Sequence, residues 1–160
     1  MDISVLFLFA ITIHNLEEAV WLTRQSKKLR KIKMNKEISQ DQFLFALFVI
    51  TSLAYLITAF YTFFPKNLFL TYIYFGFLGS MIINIIFPHL LTTIIEKCYS
   101  PGLLTGISVI IPINFLIIKD GLNTELINLK ALLVSTIGVG VVLLFIISLS
   151  FKLAKKIITF

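Results

Sequence analysis

Along the chain, apolar residues gather into five long runs separated by short polar interruptions. A membrane crossing takes about 20 apolar residues, and the runs predict spans over 3–22, 43–64, 68–95, 103–118 and 131–151. Pro65-Lys66-Asn67 makes so short a turn that the second and third spans must be antiparallel neighbours. The third run exceeds what a bilayer needs, which predicts a tilt, a kink or an extension beyond the hydrocarbon, with Pro88 as the kink point. Pro101 is placed to start the fourth span, and Pro112 interrupts its second half. The predicted fold is an all-α membrane protein: a compact bundle of five transmembrane helices in a single polytopic domain over 1–160, with no internal repeat. The first run resembles a signal peptide in length, but its acidic start and polar middle predict a retained span.

Composition agrees with this pattern. Hydrophobic residues make up 58% of the chain, charged residues 14%, and the mean hydropathy is +0.98, far above that of a soluble domain. The net charge of +6 does not point to nucleic acid, because half of the fourteen basic residues fall in the single segment 24–36, with no interleaved aromatic residues. A juxtamembrane loop accounts for that segment. Counting basic residues by side puts eleven with the 24–36 loop, Lys97 and the C-terminal tail, against Lys66, Lys119 and Lys130 opposite. The N-terminus is therefore expected outside and the C-terminus in the cytoplasm, as an odd number of spans requires, with the chain a multi-pass protein of the cell membrane. The one cysteine, Cys98, rules out an internal disulfide and is read as incidental.

Against this background, the first span carries His14, Glu17 and Glu18. On a helix Glu17 lies about 60° to one side of His14 and Glu18 about 40° to the other, so the three share a face. Measured from the outer boundary at 1.5 Å per residue, both carboxylates come at roughly 21–23 Å and Asn84 of the third span at roughly 24 Å. His89 is expected one to two turns deeper. Thr51 and Ser52 reach a similar layer from the second span, and Thr105 and Ser108 from the fourth. The prediction is a polar layer in the inner half of the bilayer, opening to the cytoplasm.

An ionised side chain at mid-bilayer costs on the order of 2.5–3.5 kcal/mol even on a lenient scale, so the two carboxylates need partners. No Lys or Arg occurs inside the predicted spans. Histidine, protons, water or a metal ion remain. Two carboxylates with one or two imidazoles describe a divalent-metal site, zinc foremost, with His14, Glu17, Glu18 and His89 as candidate ligands. They equally describe an acid–base cluster that shares a proton. Glu17, Glu18 and Asn84 are the candidate catalytic groups. The blander readings are that His89 and Asn84 only bond across the bundle, and that the many Phe residues are core and lipid-facing material. Gly76, Gly79, Gly138 and Gly140 are expected to allow close helix approach.

His14-Asn15-Leu16-Glu17-Glu18 resembles the signature of the HXXEE family of small bacterial integral membrane proteins. Trp21 close behind the second Glu, Asn84 with His89 in a later span, and Tyr99-Ser100-Pro101-Gly102-Leu103-Leu104-Thr105 extend the resemblance from His14 to Thr105. It implies a membrane protein whose polar site uses these residues, and it implies no particular activity. One departure stands out: Asn84 and His89 are five residues apart with Pro88 between them, about 140° apart on a regular helix rather than one turn.

The expected function is a metal-dependent hydrolase acting on a lipid or other amphipathic substrate, with the turn over 99–105 forming its cytoplasmic mouth. The alternatives are a metal-free acid–base isomerase or transferase, a proton- or cation-coupled transporter, and an assembly subunit whose polar residues only fix helix pairing. The lack of repeated halves weighs against a carrier, although a dimer would supply a longer path. The expected partners are the bilayer and a lipid-like substrate, and not nucleic acid.

Overall fold

A computed structural model describes residues 3–26 and 38–158, with the backbone alone for 22–26. A 3₁₀ turn at Ile3–Val5 leads into α1 (Leu6–Ser26), followed by α2 (Gln40–Phe63), α3 (Leu68–Glu96), α4 (Leu103–Asn123) and α5 (Leu129–Ile157). Among the described residues, five helices are long and apolar enough to cross a membrane, as the apolar runs predict. From Lys27 onward, the basic segment expected as a loop lies outside the described residues.

Local chemistry explains where the helices start. Ser39 and Gln42 form a reciprocal capping box ahead of α2, while Asn67 and Asn128 accept from the Leu70 and Ala131 amides to open α3 and α5. The ends run further than the apolar runs. Helix α4 continues to Asn123, where the prediction stopped at 118, and α5 continues to Ile157 rather than 151. A helix satisfies its own backbone in lipid and in water alike, so loss of hydrophobicity does not end it.

The bundle is built around α3. Residues 74–81 are buried on every side, the mark of a helix enclosed by its neighbours. Tyr74 stacks on Tyr61 of α2 at 4.3 Å between ring centres and meets Phe7 of α1 edge-on. Its hydroxyl donates to the Ser4 carbonyl. Against α5 the approach is close: a Cβ on Gly76 would lie 2.6 Å from the Ser135 carbonyl oxygen, and one on Gly79 would strike the Thr136 side chain. Gly138, expected to serve the same purpose, has nothing among the described residues within 4 Å of its Cβ position. Asn114 of α4 donates to the Leu78 carbonyl. The remaining helix faces are apolar and exposed, with Phe48, Val134, Leu144 and Phe145 each about two-thirds accessible, as a lipid-facing surface requires.

Pro88 does break α3. The preceding residue, Phe87, takes an extended backbone (φ −132°, ψ 112°) inside the wide π-type turn Ile85–Leu90. Pro112 is absorbed differently: a second wide turn, Gly106–Ile110, precedes it, the Ile111 amide reaches back to the Gly106 carbonyl, and α4 continues.

Candidate functional site

The second half of α1 faces two elements at one end of the bundle: the broken part of α3 and the turn that leads into α4. His14, Glu17 and Glu18 are all buried there, with His89, Ser100 and Gly102 around them. Because Glu17 and Glu18 flank His14 one helical turn on, they reach different neighbours.

Glu18 reaches α3. Its Oε1 lies 2.8 Å from His89 Nε2 and 3.9 Å from His14 Nε2. One donor atom from each of His14, Glu18 and His89 fits within 4.8 Å of the other two, so this group could hold a metal ion. The two imidazoles meet at 88° with ring centres 5.4 Å apart. Asn84 Nδ2 is 3.4 Å from His89 Nε2. His89 is thus not one to two turns below Asn84, as an unbroken helix required. The extended step at Phe87 and the wide turn after it swing the imidazole back toward Asn84, which resolves the 140° separation.

Glu17 reaches the turn. Its Oε1 accepts from the Gly102 amide at 2.8 Å and from the Tyr99 hydroxyl, while its Oε2 accepts from the Thr105 amide at 2.9 Å and the Thr105 hydroxyl at 2.6 Å. Both oxygens are engaged at the start of α4, where a carboxylate complements the exposed amides and the helix dipole. The Tyr99 phenol lies between the spans and has its pKa pushed up to about 12, by burial and then by its bond to Glu17. Thr105 Oγ1 also lies 3.2 Å from His14 Nδ1.

Gly102 closes the site from above. Its φ of +90° favours glycine, and a Cβ there would lie 2.7 Å from His89 Cε1 and 3.0 Å from both His14 Cε1 and His89 Nδ1. Two buried ring nitrogens, His14 Nε2 and His89 Nδ1, have no hydrogen-bond partner among the described residues.

Of the other residues expected in the polar layer, Thr51 accepts from Asn15 Nδ2 at 2.7 Å and ties α2 to α1. Ser108 is exposed and donates to the Leu104 carbonyl of its own helix. Asn15 and Ser100 were not singled out in the sequence. Asn15 stands inside the motif as an intervening residue, and its depth beside Thr51 was the available signal. Ser100, whose amide donates to Thr93 Oγ1, carried none.

The model of one protein family, described as a protein of unknown function with HXXEE motif, matches residues 5–117, well over half the chain. A protein of Bacillus subtilis (strain 168), named uncharacterized protein YrkK, is 46% identical over 151 residues, which is 94% of each chain. No solved structure matches. With the family model matching residues 5–117 and a relative 46% identical over 94% of the chain, this chain belongs to the HXXEE family.

Proposed function

We propose that this protein binds a divalent metal ion within the membrane and uses it to hydrolyse an amphipathic, lipid-like substrate. The observation that carries the metal reading is the convergence of Glu18 with two buried imidazoles, each of which keeps a ring nitrogen without a hydrogen-bond partner among the described residues. A buried polar atom left unpaired costs about 1–3 kcal/mol, and an ion accepting the electron pair of His14 Nε2 would relieve that cost there. His14 Nε2, Glu18 Oε1 and a nitrogen of His89 form an N, N, O set that suits zinc.

An ion held by these three groups would supply an activated water and Lewis-acid polarisation of a carbonyl or phosphoryl oxygen. The chain's own groups would do the rest. Glu18 and the two histidines hold the reacting centre at a fixed depth. Asn84, beside His89, presents an amide that can orient a substrate oxygen. Support for a lipid-like substrate comes from two exposed apolar residues, Phe87, two residues before His89, and Leu104, adjacent to Thr105. The basic-residue count favours an N-terminus outside, a cytoplasmic C-terminus and a location in the cell membrane.

A second reading rests on the 2.8 Å contact between Glu18 and His89, which is also the geometry of an acid–base pair working without metal. Elemental analysis of protein purified in detergent separates the two. The metal reading expects about one zinc or similar ion per chain, lost in His14→Ala. Stoichiometric absence of metal from folded wild-type protein overturns it, and hydrolysis that persists in chelator establishes the acid–base pair instead. Loaded protein that turns over none of a panel of acyl and phosphoryl lipids overturns the hydrolase assignment.

A further inference from the structure

We infer that Thr105 and Glu17 are positioning residues that set the proton of His14 on Nδ1, leaving Nε2 with the electron pair a metal needs. This deepens the metal reading and rests on it. Both Glu17 oxygens accept from backbone amides, which can only donate. Thr105 Oγ1 has one proton, and the 2.6 Å contact to Glu17 Oε2 is shorter than its 3.2 Å contact to His14 Nδ1. A hydroxyl this close to a carboxylate spends its proton there, since the alternative sets two acceptors face to face.

Thr105 Oγ1 can therefore only accept from His14, so Nδ1 carries the hydrogen. Nε2 is then the acceptor nitrogen of the ring, and it is the buried nitrogen that faces Glu18 Oε1 without a hydrogen bond. Orientation of a ligating imidazole through its other nitrogen is a general feature of metal sites. Here the relay runs Glu17, Thr105, His14, and it assigns the two carboxylates of the motif different work. Glu17 sets the ring and Glu18 shares the ion.

The test uses histidine-labelled full-length protein in detergent, where the chain's only two histidines are told apart with a His89→Gln sample. Nitrogen and carbon chemical shifts of metal-free wild-type protein should show His14 protonated at Nδ1. In Thr105→Val the tautomer should become mixed or reversed, and zinc affinity should fall roughly 10–100-fold, with Thr105→Ser restoring both. His14 protonated at Nε2 in the wild type overturns the inference, whether or not the valine variant folds. So does a folded Thr105→Val protein with unchanged tautomer and affinity. If the wild type shows the Nδ1 proton yet binds no zinc, the relay stands and the metal reading falls.

Discussion

His89 Nε2 lies 2.8 Å from Glu18 Oε1, so the imidazole on the broken end of α3 and the last carboxylate of the HXXEE motif on α1 share one buried contact. That contact makes Glu18 the most sensitive position in the proposed centre. Glu18→Gln keeps the shape and removes the negative charge. We expect zinc affinity to fall by about 100-fold or more, beyond the 10–100-fold typical of supporting residues. Isothermal titration reads this directly, and affinity within a factor of three of wild type would remove Glu18 from the ligand set.

Glu17 should behave differently. Glu17→Ala leaves two amides and two hydroxyls at the start of α4 without their acceptor. Loss of the acceptor for the buried Gly102 amide and for the part-buried Thr105 and Tyr99 groups predicts a loss of about 2–4 kcal/mol of stability, read as a lower unfolding midpoint in detergent. Glu17→Gln, which retains one carbonyl acceptor, should lose less. Equal stability of Glu17→Ala and wild type would show that the 99–105 turn does not depend on this carboxylate.

Two glycines make a paired comparison. Gly102→Ala places a methyl group against both imidazoles in a backbone conformation that L-residues avoid, and it should lower both stability and metal affinity. Gly138→Ala points into open space on α5 and should be neutral or stabilising by up to about 1 kcal/mol. Thermal unfolding of both variants in one detergent checks the contrast.

Alkaline pH should loosen the turn selectively. The Tyr99 phenol has a folded pKa raised from 10.0 to about 12, so its contribution is complete below pH 10 and is lost as pH rises through 12. Between those values the stability of wild-type protein should fall more steeply than that of Tyr99→Phe. Parallel curves for the two proteins would show that the bond to Glu17 carries no stability.

The orientation can be read without engineering, because Cys98 is the chain's one cysteine and is exposed between α3 and α4. A membrane-impermeant maleimide should label it in inside-out vesicles and leave it untouched in intact cells. Labelling in intact cells would reverse the proposed topology.

Five apolar runs were enough to read the five helices, because a bilayer demands long uninterrupted hydrophobic segments and the helix is how they satisfy their own backbone. Periodicity on α1 also placed His14, Glu17 and Glu18 on one face. By itself the sequence thus determined the element order and the shared face of His14, Glu17 and Glu18 on α1. It could not divide the labour between two adjacent carboxylates, since Glu17 and Glu18 are chemically alike and differ only in which neighbouring helix each one meets. Nor could it place His89 beside Asn84. That needed the extended step at Phe87, where a missing proline N–H and crowding before the ring override the regular helix on which depth was reckoned. Tertiary structure decided the meeting of His14, Glu18 and His89 because contacts between residues far apart in the chain depend on backbone breaks and helix packing, which no local pattern records.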